Sequence, residues 1–272
     1  MTIITKISAG KKNKNRYNIF IDKGSGEEFG FSVSEDVLIK MDLKKGKTID
    51  EFELAEIIYQ EEIQKAFSAA LHYLSHRMRS ETEVVRHLRD KEYESHIIKE
   101  VIHRLYHLSF LDDEAFASAF VRTKMNAGDK GPIVIAQDLR LKGVADTTID
   151  AALHIYSREM QVEHAQKQIG KLLKSSSGKS TIQLKRKVEQ TLQRKGFPSY
   201  IIEEASNKVD LNQDEKAEWE SLVKNAEKAG RRLQKYSGYE FEQRLKSALY
   251  RKGFPLELID RYLEENPQGM GE

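Results

Sequence analysis

The chain has 272 residues, 39% of them hydrophobic and 32% charged, with no cysteine and a formal net charge of +2. The lack of cysteine excludes disulfides, thiolate nucleophiles and zinc sites built on Cys, and fits a reducing compartment. No run reaches the roughly 18 apolar residues of a membrane span, and the start MTIITKISAGKKNKNRY has no apolar core followed by a cleavage site, so a cytoplasmic protein without membrane contact is expected.

Residues 1–60 read as a small β-rich module. Ile3, Ile4 and Ile7, then Tyr17, Ile19 and Ile21, then Phe29, Phe31 and Val33 predict three short strands, and the glycines of DKGSGEE suit a hairpin turn between the second and third. Ser34 caps a helical turn through Val37 and Leu38, and a turn at Lys44–Lys47 leads into Thr48–Phe52. Lys6, Lys11, Lys12, Lys14 and Arg16 form a basic loop with no acid among them, which fits either a solvated hairpin tip or a phosphate-contacting loop.

From Glu53 the period becomes helical, and four three-helix units follow, at 61–112, 113–157, 158–212 and 213–272. The first has an apolar stripe of Ile63, Phe67, Leu71, Leu74 and Met78, then the capping box Ser80 with Glu83, then a helix carrying Ile97, Ile98, Val101 and Leu105. In the second, Asp112 or Asp113 caps a helix with Phe116 and Phe120, Gly131–Pro132 opens the next helix, and Asp146 caps the last. The third and fourth units follow the same plan around Leu184, Val188 and Leu192, and around Phe241, Leu245 and Leu249.

One template recurs across the units: LRDKEYESHII from Leu88, LRLKGVADTTI from Leu139, LQRKGFPSYII from Leu192 and LYRKGFPLELI from Leu249. In each, Lys follows Leu by three residues, Ile follows that Lys by seven, and an apolar residue (Val84, Ile135, Val188 or Leu245) precedes the Leu by four. Four ungapped copies predict a stacked array of helical repeats. The template reads as a helix–turn–helix corner, in which Gly ends one helix at positive φ and Phe197 or Phe254 folds back as a plug. Pro198 and Pro255 stop that helix and suit the first turn of the next. Glu92 replaces Gly in the first copy, which predicts a differently built or looser corner there.

Chemistry is sought and mostly not found. Gly178-Lys179-Ser180-Thr181 ends like a phosphate-binding loop, but Leu173 stands where that motif requires Gly. His72 with His76, and His103 with His107, are four apart without a third ligand at motif spacing, so neither a metal nor a cofactor is expected. No catalytic triad order or nucleotide fingerprint is present, and the chain does not read as an enzyme. Only the third unit is clearly basic, with 11 Lys and Arg against 6 Asp and Glu, a net of +5. The candidate interaction surface is the basic edge of the corners: Arg140 and Lys142; Lys185, Arg186, Lys187, Arg194 and Lys195; Arg251 and Lys252. Complementing a helix C-terminal dipole accounts for a single such lysine, but less well for the bunching in the third unit.

The β-rich start, the helical repeats, FLDDEAFASAFVRTK after the first unit and the repeated L-x-x-K-G-[FV] corners resemble the RecX family of bacterial regulators of RecA recombinase. The resemblance covers essentially the whole chain and implies a mainly α fold of tandem three-helix repeats in an elongated, curved array behind the β-rich module. It also implies a monomer that binds the RecA filament on single-stranded DNA and inhibits strand exchange, ATP hydrolysis and co-protease function without chemistry of its own. Two other functions stay open: a protein that binds single- or double-stranded DNA through its helix–turn–helix corners without RecA, and a helical scaffold for another protein.

Overall fold

The computed structural model describes residues 2–10, 15–175, 178–209, 211 and 215–266. Lys11, Lys12 and Lys14 of the basic loop, Ser176 and Ser177, Asp214 and the tail from Pro267 lie outside the described residues.

Alternating apolar residues at the start build β1 (Thr2–Ala9), β2 (Arg16–Asp22) and β3 (Glu27–Ser34), followed by α1 (Glu35–Lys40) and the two-residue β4 (Thr48–Ile49). They form one antiparallel sheet in the order β3-β2-β1-β4. Two residues carry no readable period, which is why β4 is invisible in the sequence pattern. One sheet face buries Ile4, Ile19, Ile21 and Val33 against Val37, Leu43 and Ile49. Phe29 departs from the expected alternation and is 58% exposed. The β2–β3 register slips between Ile19 and Phe20, which pair with Phe31 and Phe29 and leave Gly30 as the extra residue of a bulge. A bulge shifts the side-chain phase by one, so Phe29 moves to the outer face and meets Phe20 edge to face.

Helix α2 (Glu51–Leu74) opens on a complete capping box of Asp50 and Glu53. Its first part places Ile57 in the sheet core, and its second places Ile63, Ala66, Phe67 and Ala70 against α3 (Glu81–Asp90) and α4 (Ser95–His107). Buried Glu61 lies between these two cores, ion-paired to Arg16 at 2.8 Å and accepting the Ser34 N–H at 2.7 Å. A buried carboxylate is tolerable only with partners of this kind. The helix stops at Leu74, so Met78, placed on its stripe by spacing, lies in the connection and is half exposed.

Nine further helices follow among the described residues: α5 (Asp113–Ala127), α6 (Pro132–Leu141), α7 (Asp146–Leu153), α8 (Arg158–Lys174), α9 (Thr181–Arg194), α10 (Ser199–Asn207), α11 (Glu215–Leu233), α12 (Gly238–Arg251) and α13 (Leu256–Glu265). The fold is mainly α, in three-helix repeats behind the sheet module. Two compact units divide the chain, Met1–Phe116 with Leu141–Thr148, and Ala117–Arg140 with Ile149–Glu272. In the second, α8–α10 close on Val162, Ile169, Val188, Leu192, Phe197 and Ile201, and α11–α13 close on Leu222, Ala226, Phe241, Leu249, Phe254 and Ile259.

The recurrent template is a Schellman turn. In the third copy the Phe197 N–H donates to the Leu192 carbonyl at 3.0 Å and the Gly196 N–H to the Gln193 carbonyl at 2.9 Å, with Gly196 at φ +85°. The fourth copy repeats this through Phe254, Leu249 and Gly253. So does the first: Tyr93 N–H donates to the Leu88 carbonyl and Glu92 itself takes φ +63°. The corner expected to be looser is therefore built in the same way, with Glu held in a left-handed conformation that costs about 1–2 kcal/mol for a non-glycine residue. Pro198 and Pro255 sit one position earlier than expected, as the N-caps of α10 and α13.

Candidate functional site

Each glycine corner does more than end a helix: its lysine carbonyl caps the middle helix of the preceding repeat. Ser80 Oγ, at the N-cap of α3, donates to the Lys142 carbonyl at 2.6 Å. The Gly131 N–H, just before α6, donates to the Lys195 carbonyl at 2.7 Å, and the Ile133 N–H donates to the Gly196 carbonyl at 3.1 Å. Ser180 Oγ, at the N-cap of α9, donates to the Lys252 carbonyl at 2.5 Å. A helix N-terminus carries unsatisfied N–H groups and partial positive charge, so a carbonyl delivered by the next repeat is a favourable partner.

A carboxylate completes the dock where a free N–H remains. Asp113 Oδ1 accepts the Glu81 N–H at 2.8 Å, and Glu218 accepts the Thr181 N–H at 3.0 Å and its hydroxyl at 2.7 Å. In the second repeat the first helical residue is Pro132, which has no N–H to satisfy. The segment that ends like a phosphate-binding loop is thus engaged by Glu218 and the Lys252 carbonyl, with Gly178 bonded through its carbonyl to Asn225 at 2.8 Å.

The corner lysines turn toward these docks. Lys142 Nζ lies 3.1 Å from Glu83, Lys195 Nζ donates to the Asp129 carbonyl at 3.2 Å, and Lys252 Nζ donates to Asn225 Oδ1 at 2.7 Å. Burial pushes the Glu83 carboxyl up, but Arg77, the Ser80 N–H and Lys142 outweigh it and hold the group below the ordinary carboxylate range. Arg140, Lys185, Arg186, Arg194 and Arg251 are exposed, and Lys187 is half-buried. On α9 the basic residues do not share one face: Lys185 borders a groove toward α10, whereas Lys187 and Arg194 lie seven residues apart on another stripe. A 57-residue offset places Lys187, Arg194 and Lys195 in correspondence with Arg244, Arg251 and Lys252.

Asp113, Glu218 and Asn225 were not legible as docking residues. Lys228 and Arg232 of α11, which face Arg251 and Lys252, also went unnoticed, because the fourth segment is nearly neutral overall and only their i, i+4 spacing hints at a shared stripe. His72 and His76 meet ring to ring at 5.1 Å, and among the described residues no group of three His, Asp or Glu is placed to hold a metal. Among the described residues no helix is long and apolar enough to cross a membrane.

A buried polar pair sits under the second unit. Tyr156 OH meets His164 Nδ1 at 2.8 Å, and Gln168 Nε2 donates to the Gly128 carbonyl at 2.8 Å. Burial first, then the charge of Lys167, holds His164 below its ordinary value. A depressed pKa means that the stability from neutral His164 is complete above about pH 6.5 and is lost as pH falls through the folded-state value. The thermal midpoint of the wild-type chain should therefore drop between pH 7.5 and 5.5. In His164→Asn, whose amide oxygen replaces the Nδ1 acceptor, the drop should be smaller. His87, also depressed by burial, remains in both proteins, so equal slopes would clear His164 of the effect.

Three-helix units joined by corner-to-helix caps define a helical repeat protein. The comparisons make this specific. Residues 2–50 match the profile described as "Regulatory protein RecX N-terminal domain", 66–105 the first RecX three-helix domain, 112–153 the second, and both 159–205 and 216–263 the third. The chain belongs to the RecX family of regulatory proteins. It is 46% identical over 270 residues to a regulatory protein RecX of Halalkalibacterium halodurans, covering 97% of this chain and 100% of that one. A Bacillus subtilis relative of the same name is 44% identical over 265 residues, covering 97% and 99%. A crystal structure of a regulatory protein RecX superposes with a TM-score of 0.69 at 36% identity, covering 76% of this chain and 100% of that one. The Lactobacillus salivarius RecX structure gives 0.54 at 36% identity, covering 56% and 99%.

Proposed function

We propose that this chain binds the RecA filament on single-stranded DNA and restrains its recombinase, ATPase and co-protease activities, acting by occupancy rather than by chemistry. The observation that carries this is the family match along the sheet module and all four repeats, with relatives named regulatory proteins over nearly their full length. The exposed cations Arg140, Lys185, Arg186, Arg194 and Arg251 supply a surface suited to an acidic partner face. The alternative of groove-reading helix–turn–helix corners is less well supported, because a Cβ at Gly143, Gly196 or Gly253 would meet Thr82, Val134 or Ile182 of the preceding repeat.

RecA ATPase on single-stranded DNA, measured with and without the chain, tests the function directly; an unaffected rate overturns it. Lys185→Glu with Arg186→Glu and Lys187→Glu should raise the concentration needed for half-inhibition about tenfold, as expected for three reversed charges at an interface rim. Undiminished inhibition at moderate salt would remove that triplet from the interface.

A further inference from the structure

The fourth repeat is nearly neutral as a segment, yet its fold gathers cations into one cleft. Between α11 and α12 a cleft of about 610 Å³ is lined by Lys228, Arg232, Arg244, Arg251 and Lys252, with Glu240 as its one acid. Glu240 is already matched, by Arg244 through contacts of 2.8 and 2.9 Å. Lys228, Arg232 and Arg251 have no ion-pair partner among the described residues. Lys252 is held by a neutral amide oxygen, that of Asn225, whose own NH2 is anchored on Gly178 and Ser221. Four positive charges therefore face one cleft without a counter-charge. Their proximity is felt at Lys252, whose pKa burial and then the charges of Lys228 and Arg232 hold down. Like charges held together in this way cost stability unless an anion joins them.

The shape of the cleft narrows the class of anion. Its α12 wall includes the small residues Ser247 and Ala248, so the cations rise on either side of a shallow floor. Arg244 and Arg251 are seven residues apart, about 10 Å along the helix, which is the length of about three stacked nucleotides at ~3.4 Å each. Tyr239 and Tyr250 lie on the same helix, outside the cleft lining, three helical turns apart on one stripe, and are 76% and 60% exposed. Exposed aromatic rings on the helix that carries the cations suit unpaired bases of a strand whose phosphates follow the cleft.

We infer that the α11–α12 cleft of the fourth repeat is a binding site for the phosphodiester backbone of single-stranded nucleic acid, held by Lys228, Arg232, Arg251 and Lys252, with Tyr239 and Tyr250 stacking on bases. The site stands on its own geometry and goes beyond the proposed restraint of RecA, because it requires direct binding with RecA absent.

The test is fluorescence anisotropy of a labelled oligo(dT) strand titrated with the full chain across a salt series, without RecA. Lys228→Gln with Arg232→Gln should weaken binding at least fivefold at low salt. The same pair should flatten the slope of log affinity against log salt by about 1.4, or ~0.7 for each cation removed. Arg251→Gln alone should flatten it by about half as much, which keeps the test available if the double variant is poorly folded by circular dichroism. Tyr250→Ala should weaken binding about fivefold or more at an unchanged slope. No binding by the wild-type chain, unchanged affinity in the folded cation variants, or duplex binding as tight as oligo(dT) would each overturn the site. Displacement by poly-glutamate as effective as by unlabelled oligo(dT) would assign the cleft to an acidic protein instead.

Discussion

Gly196→Ala should lower the thermal midpoint by about 10 °C. A Cβ at Gly196 would lie 2.5 Å from the Val134 backbone nitrogen, and the residue already sits at φ +85°, where alanine is strained. Backbone cannot yield as the far end of a side chain can, so strain and overlap together should cost about 3 kcal/mol or more. For a cooperative unit of this size, that corresponds to roughly 2–4 °C per kcal/mol. Gly131→Ala should behave likewise, since its Cβ would meet the Gly196 carbonyl oxygen at 2.3 Å. Glu92→Gly is the opposing control: it relieves a left-handed glutamate at an exposed corner and should be stabilising by about 1 kcal/mol. Thermal unfolding followed by circular dichroism measures all three. A Gly196→Ala midpoint within a degree of wild type would mean that the corner does not dock as described.

Phe197→Ala and Phe254→Ala remove the plugs of the third and fourth corners, each at most 2% exposed, and each should cost about 3–5 kcal/mol. Their effects should nevertheless look different. Phe197 lies in a repeat whose corner docks on α6 and whose α9 N-terminus is itself capped by the fourth corner. Phe254 lies in the fourth repeat, and among the described residues no following corner caps α12, whose N-cap Ser237 makes no side-chain capping bond. In repeat proteins stability is close to a sum of unit and nearest-neighbour terms, so a weakened unit with fewer docked neighbours melts first. Phe254→Ala should then show an early, partial loss of helix, with fast hydrogen exchange confined to α11–α13. Phe197→Ala should lower the main transition instead. One shared transition at one midpoint for both variants would show that the fourth repeat does not melt as a separate unit.

Much of the fold was legible because its information is local. Periods of two and 3.6 residues expose strands and helices, and the ungapped recurrence from Leu88, Leu139, Leu192 and Leu249 exposes the repeats and their corners. The capping box at Ser80 and Glu83 was legible for the same reason. Phe29 was misplaced because a bulge at Gly30 changes the phase without altering the residue types on either side. Glu92 was misjudged because a Schellman turn prefers glycine at that position without requiring it.

The candidate surface was legible only as a set of charges. Charge alone does not separate Lys142, Lys195 and Lys252 from Arg194 and Arg251, yet Lys142 and Lys195 turn to the preceding repeat, Lys252 turns to Asn225 of its own repeat, and the two arginines stand exposed. Ser180 and Thr181 resembled a phosphate loop because that motif also serves a helix N-terminus; here the anion is Glu218, 37 residues away. Segment charge hid the fourth repeat's cleft, since its acids and bases balance along the chain and separate only when α11 and α12 pack side by side.

The sequence alone therefore determined the elements, their repetition and the corners, all of which rest on backbone preference and apolar periodicity within a dozen residues. The tertiary structure alone decided which lysine carbonyl caps which helix, why glycine is needed at docked corners but not at Glu92, and which cations share a cleft. The docks depend on groups up to 72 residues apart meeting within hydrogen-bond distance, and the cleft on two helices packing side by side; both are set by packing rather than by spacing along the chain.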